Sequence, residues 1–280
     1  MAHIDTAEKI SRKISVGFLT FGIFGNLLII VYFCNKNRKN ISKTSLYHFL
    51  IIKLAIADLL FCLWSLLFHV NDLFPMFEIS RRTFFYILFP LDHSSIWILL
   101  QISYSRYKSI VHPLHPRCSK RRFTLLTFSV AFLSLVSSLI RMHFELPFSA
   151  DLKKIILITL CMVIPSIAMF FFYHRSSKKL RSENAADVMN VYVRMRNKNA
   201  LNTLKLLLTI YFFSVFLSRI LDLAFSYFEH SSVTFLSIFR IVSTYVIYPQ
   251  NNILNIIVYA TVMKDFRLFL KKILWLQSRK

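Results

Sequence analysis

The sequence predicts an all-α membrane protein: a seven-transmembrane helix bundle followed by a short amphipathic cytoplasmic eighth helix. Three observations predict it. Hydrophobic residues make up 56% of the 280 positions and charged ones only 17%, whereas a soluble domain is about half apolar and about a quarter charged. The apolar excess is gathered into runs long enough to cross a bilayer, which takes about 20 helical residues. The basic residues gather in alternate loops between those runs.

The runs lie at about 14–34, 46–70, 84–107, 123–141, 152–174, 203–228 and 233–262. The first has no small-residue cleavage site and is long enough to span, so it is expected to serve as both membrane helix and targeting signal. The second carries one acid, Asp58, at mid-depth, and the third ends at Arg106 and Tyr107. The fourth has no charge between Phe123 and Ile140, and Pro165 interrupts the fifth. Arg219, Asp222 and Arg240 break the sixth and seventh, which are the least clean. After the seventh, Lys264, Asp265, Phe266, Arg267, Lys271 and Lys272 form a basic amphipathic pattern suited to a helix on the membrane surface. The chain thus divides into a short extracellular N-terminus (1–13), a seven-transmembrane domain (14–262) and a cytoplasmic amphipathic helix and tail (263–280).

A net charge of +22 is compatible with nucleic-acid binding, but its distribution points elsewhere. With the N-terminus outside, the inner loops and tail hold 23 Lys and Arg against 8 outside. That bias is the positive-inside signature and places the tail in the cytoplasm. The expected location is the plasma membrane, multi-pass, with anionic lipid as one partner and no nucleic acid. The sequon Asn40-Ile41-Ser42 falls in the first inner loop, beyond reach of glycosylation. Cys34 and Cys118 lie at the cytoplasmic side and Cys62 and Cys161 within helices, so no extracellular disulfide is expected. No metal-ligand spacing or Ser-His-Asp signature is present. No Lys lies in the seventh run to form a Schiff base. An enzyme is not expected, nor any organic cofactor.

Polar groups at membrane depth are costly and mark function or internal packing. Asp58 is such a group, and two readings are open: a protonated acid bonded to a neighbour, or a carboxylate at a sodium site. Asn251, Asn252 and Asn255 lie at similar depth. Arg106 is either a snorkelling helix-end arginine or a fork of donors for a docking partner. Toward the outer side, Asp92, Arg219 and Asp222 share a level with Tyr86, Phe89, Tyr245 and Tyr248. There Arg219 either pairs with Asp92 or Asp222, or binds an anionic group of a ligand.

The segment N-N-I-L-N-I-I-V-Y-A-T-V-M-K-D-F-R (Asn251 to Arg267) and the segment S-Y-S-R-Y-K-S-I-V-H-P-L (Ser103 to Leu114) carry a family resemblance. They resemble the seventh-to-eighth helix and the Asp-Arg-Tyr region of rhodopsin-like G-protein-coupled receptors. The resemblance covers almost the whole chain. It implies a sodium site at Asp58, Ser95, Asn251 and Asn255, with Asn26 nearby, and sodium as an allosteric ion. It implies a G-protein coupling switch at Arg106, Tyr107, Pro113, Leu114, Tyr173 and Tyr259. It further implies a repacking core of Ile96, Pro165, Phe212 and Phe216. Leu88 stands where amine receptors carry Asp, which disfavours a monoamine. The ligand pocket is expected at Leu88, Asp92, Arg219, Asp222, Tyr245 and Tyr248.

The departures are specific. Ser105 replaces the acid before Arg106, Ile256 replaces the Pro after Asn255, and no outer Cys stands near Arg81. Phe216 and Ser218 stand where the family has Trp and Pro, which removes the expected cause of a sixth-helix kink. The resemblance implies a receptor that converts an extracellular ligand signal into activation of a heterotrimeric G protein. Ser105, Ile256 and Ser218 keep a second reading open, a seven-helix decoy or trafficking partner without G-protein output.

Overall fold

The structure, a computed structural model, describes residues 2–38, 46–73, 81–113, 119–143, 162–182, 191–221 and 234–277. The described residues fold as the expected seven-helix bundle with an eighth helix along one end. The helices are α1 (Ala2–Arg38), α2 (Leu46–Leu73), α3 (Arg81–Val111), α4 (Lys120–His143), α5 (Ile164–Ser182) and α6 (Val191–Tyr211). The seventh, α7, is assembled from Thr234–Val242, Ser243–Ile247, Gln250–Ile253 and Asn255–Val262, and α8 is Lys264–Gln277. Among the described residues, Thr6–Lys36, Leu46–Asn71 and Asn197–Leu221 are long and apolar enough to cross a membrane on their own composition.

α3 is the central element and packs against α2, α4, α5 and α6, while α1 packs against α2 and α7. The core is aliphatic and aromatic: Leu50, Leu54, Ile96, Ile98, Ile102, Leu204 and Tyr211 are buried. The outside is also apolar, with Phe24, Leu125, Phe128, Phe132, Ile167 and Phe213 exposed. In water such a surface would aggregate; facing lipid tails it is the ordinary solution.

α1 is longer than the membrane requires. Its 37 residues would extend about 55 Å at the usual helical rise. Residues 2–13, read from sequence as a short N-terminus, continue the same helix. Charge ends a membrane run but not a helix, and the Arg12 guanidinium bonds back to Glu8 at 2.5 Å one turn earlier. The first helix also approaches its neighbours closely. A Cβ at Gly22 would fall 2.9 Å from Cys62 Sγ and 3.0 Å from Ile253, and one at Gly25 would fall 3.0 Å from Ile256. Small residues let backbones meet where lipid supplies no hydrophobic drive between helices.

The sixth helix differs from the expectation drawn from its missing Pro. A π-helical segment at Phe212–Phe216 interrupts it at the level of Phe216 and Ser218. A π segment shifts the hydrogen-bond register and is a recognised local cause of helix distortion. α7 is irregular twice: a π segment at Ser243–Ile247, with Tyr248 N–H donating to Ser243 O at 2.9 Å, and a break at Leu254. There Ile257 N–H reaches Leu254 O in an i−3 turn, although Ile256 stands in place of Pro.

Candidate functional site

Asp58 is fully buried where α2, α3 and α7 meet. Ser95 Oγ on α3 donates to its Oδ1 at 2.7 Å, and Asn255 Nδ2 on α7 donates to its Oδ2. The other expected α7 residue does not reach it, because Asn251 Nδ2 donates instead to Asn252 Oδ1 at 3.3 Å. Asn26 is also directed elsewhere, to the backbone oxygens of Gly22 at 3.0 Å and Asn252 at 2.8 Å. That last bond spans α1 to α7 across the close approach that Gly22 and Gly25 permit.

Two polar nodes therefore lie side by side. One is Asp58, Ser95 and Asn255; the other is Asn26, Asn251 and Asn252. Asn252, fully buried, ties the second node together and received no role from sequence reasoning. Its signal was its depth beside two other asparagines. Asn26 Oδ1 and Asn252 Nδ2 have no hydrogen-bond partner among the described residues. Buried polar atoms left so are normally satisfied by water or an ion. The oxygens offered here by carboxylate, hydroxyl and amide side chains are the hard ligands that suit a small hard cation.

About 16 Å further along α3, eleven residues past Ser95, stands Arg106. Its guanidinium carbon lies 3.5 Å from the ring centroid of Tyr47 on α2. Tyr47 is buried, and Thr203 of α6 lies beside its hydroxyl. The ring thus stands between the α3 arginine and the sixth helix. Sequence reasoning missed Tyr47, whose only signal was an aromatic at the inner end of the second run.

The other inner-end residues divide into two groups. The Tyr107 hydroxyl is 3.2 Å from His112 Nε2, and its ring lies 5.1 Å from Phe172 on α5. Tyr173 is half-buried against the core. Tyr259 faces the opposite side of the bundle, edge-on to Phe33 of α1 at 5.9 Å and to Phe266 of α8 at 6.4 Å. α8 is fixed there by Phe266, fully buried against Tyr32, and by a Lys36–Asp265 ion pair at 3.0 Å. Pro113 is exposed in the turn after α3, and Leu114 lies outside the described residues.

In the middle of the bundle Ile96 is fully buried and Pro165 is buried at the start of α5. Phe212 stacks on Phe216 at 5.1 Å and meets Phe170 edge-on at 6.1 Å. Both Phe212 and Phe216 belong to the π segment of the sixth helix, so any change in its register moves them together. Near them, Ser166 and the Tyr211 hydroxyl are 2.9 Å apart and link α5 to α6.

Toward the outer end, Leu88 and Asp92 are buried on α3. The Arg219 guanidinium lies 4.1 Å from the Tyr248 ring and 5.9 Å from that of Phe89. Both Asp92 and Arg219 act electrostatically on the Tyr248 hydroxyl, which gathers Asp92, Arg219 and Tyr248 into one region, with Leu88 one helical turn before Asp92 on α3. Asp92 Oδ1 is buried without a hydrogen-bond partner among the described residues. Asp222 lies outside them. Tyr245 belongs to a separate cluster: its hydroxyl donates to Glu8 at 3.2 Å, Arg12 lies over its ring at 5.4 Å, and His69 meets it edge-on at 5.4 Å.

Comparison with known proteins places this arrangement. The chain matches the model of the 7 transmembrane receptor (rhodopsin family) over residues 25–259, from Gly25 through Tyr259. It is 27% identical over 135 residues to the Tachykinin-like peptides receptor 86C of Drosophila melanogaster, covering 47% of this chain and 26% of that protein. It is 27% identical over 118 residues to the Allatostatin-A receptor of Bombyx mori, covering 39% and 32%. It is 32% identical over 102 residues to a purinoceptor of Homo sapiens, covering 35% and 30%. These matches thus span about a third or less of each curated relative's length. The family match extends over most of the chain, including both polar nodes and Arg106, so the chain belongs to the rhodopsin family of seven-transmembrane receptors.

Proposed function

We propose that the chain transduces an extracellular ligand signal across the plasma membrane into activation of a heterotrimeric G protein. Its N-terminus lies outside, and its basic inner loops and α8 lie in the cytoplasm. The observation that carries the reading is Arg106, a fork of donors at the inner end of α3 whose guanidinium stacks on Tyr47. In this reading the stack is the resting state. A ligand that binds the outer half more tightly in the open state shifts the equilibrium, and only its differential affinity counts. The sixth helix moves at its π segment, Arg106 leaves Tyr47, and a cavity opens among Arg106, Tyr173 and Tyr259. A G-protein helix enters it as an amphipathic helix enters a groove.

The outer half, at Leu88, Asp92, Arg219 and Tyr248, takes the ligand, whose charged group pairs with Asp92 or Arg219. The node at Asp58, Ser95 and Asn255 favours the resting state by holding a sodium ion, with Asn251 as a further oxygen donor once its amide turns. Ser105 and Ile256 favour a rival reading, a seven-helix protein without G-protein output. The π segment weakens that rival, because it supplies the distortion that the missing Pro removes.

Guanine-nucleotide exchange in membranes holding the chain and added heterotrimers tests the proposal. Exchange above that of empty membranes, lost in Arg106→Ala at equal expression, supports coupling. No response with any heterotrimer transfers the case to the rival.

A further inference from the structure

Tyr211 closes the regular part of α6, immediately before the π segment at Phe212–Phe216. It is among the largest side chains of the bundle and is fully buried. Its hydroxyl lies 2.9 Å from Ser166 Oγ on α5, which is also buried. Ser166 Oγ in turn donates to Met162 O at 2.5 Å, one turn earlier in the chain. A serine hydroxyl carries one hydrogen. With that hydrogen on Met162, the Tyr211 hydroxyl donates and Ser166 Oγ accepts. The bond to Met162 also holds the serine rotamer, so the acceptor is a fixed point on α5.

The neighbouring contacts at this level are apolar. Phe170 meets Phe212 edge-on at 6.1 Å, and Met169 and Val215 are buried. Apolar contact is non-directional, whereas a hydrogen bond weakens steeply once its geometry is lost. The sixth helix can move here in two ways, and each breaks the bond. A group about 5–6 Å from the helix axis travels about 3 Å when the helix turns by about 30°, which is the length of the bond itself. Relaxation of the π segment to an α turn shifts the register by one residue, about 100°. Fully buried, a hydroxyl freed from Ser166 becomes an unpartnered polar group, which is costly. Asp92 acts electrostatically on the same hydroxyl, so the bond lies within the field of the outer region.

We propose that Tyr211 is a positioning residue of the switch. Its bond to Ser166 holds the π segment in one register and keeps the inner half of α6 against α5 in the resting state. The inference rests on the reading that the sixth helix moves at that segment. The restraint is distinct from the Arg106–Tyr47 stack at the inner end of α3.

Pulsed electron resonance on the full chain in neutral detergent tests it, with spin labels at Lys178 on α5 and Lys198 on α6, both exposed, and Cys34 and Cys118 replaced by serine. Tyr211→Phe removes the hydroxyl and keeps the ring; Ser166→Ala removes the acceptor. Each should enlarge the longer-distance population about three- to tenfold, as for loss of one neutral hydrogen bond. The double variant should go no further than either single one, because both remove the same bond. General loosening of the core would instead give additive effects. Additive effects, or a wild-type distribution in both single variants, overturn the proposal. A nucleotide-free heterotrimer added to the wild type separates this result from the coupling reading. Lengthening by the heterotrimer with unchanged single variants overturns the latch and leaves coupling standing. Lengthening in the variants with no response to any heterotrimer supports the latch and sinks coupling.

Discussion

Replacing Tyr47 with leucine should raise basal signalling. The Arg106 guanidinium lies 3.5 Å from the Tyr47 ring centroid, and Tyr47 is only 6% exposed. A cation over an aromatic face contributes about 0.5–1 kcal/mol at exposed sites and about 2 kcal/mol when desolvated. For this partly buried pair, about 1–2 kcal/mol is the appropriate range. About 1.4 kcal/mol is a factor of ten in an equilibrium constant. Losing a contact made only in the resting state therefore enlarges a rare active population about 5- to 30-fold. Tyr47→Phe keeps the ring and should stay near wild type, which separates the stack from the hydroxyl beside Thr203. The assay is basal nucleotide exchange in membranes at matched receptor levels. If Tyr47→Leu behaves as wild type while Arg106→Ala abolishes coupling, the stack does not restrain the resting state and the reasoning fails.

The remaining predictions concern other parts of the same account. Ser105→Asp should lower basal exchange, because a hydrogen bond to a charged group is worth about 1.5–3 kcal/mol against about 0.5–1.5 for a neutral one; unchanged exchange in a coupling-competent background would refute this. Sodium, compared with potassium, should lower agonist affinity or basal activity, and Asp58→Asn should abolish that difference; a wild type indifferent to sodium would count against the ion site. Dithiothreitol should leave surface expression and ligand binding unchanged, since Cys62 is buried and free and Cys34 is free near the inner end of α1; loss of binding on mild reduction would show an outer disulfide. Gly22→Ala should lower thermal stability by about 1–3 kcal/mol through overpacking, because its Cβ would meet Cys62 Sγ at 2.9 Å; an unchanged melting temperature would mean that α1 can retreat without loss.

The seven helices were legible because lipid imposes a length and an apolar composition that a linear scan detects. The link from Asp58 to Ser95 and Asn255 was legible only through the family resemblance, since nothing in sequence spacing joins positions 37 and 197 residues apart. Tyr47 as the partner of Arg106 was not legible. A cation over a ring leaves no spacing pattern when the two groups sit on different helices. The π segment at Phe212–Phe216 was hidden for a related reason: hydropathy reports which residues face lipid, not the hydrogen-bond register beneath them. α1 ran past its predicted start because Glu8 and Arg12 end the apolar run while supporting the helix. Asn251 and Tyr245 turned away from their expected neighbours, toward Asn252 and Glu8, because side-chain direction depends on the breaks in α7.

The central claim is that the inner end of this bundle opens between the sixth helix and the rest. Spin labels at Lys198 on α6 and Lys120 on α4, both exposed, placed in a background with Cys34 and Cys118 replaced by serine, measure that separation directly by pulsed electron resonance. Adding a nucleotide-free heterotrimer should shift the distance distribution outward. Tyr47→Leu should populate the longer distance without it, and Ser105→Asp should suppress it. A single distribution that neither the heterotrimer nor Tyr47→Leu alters would contradict the two-state account.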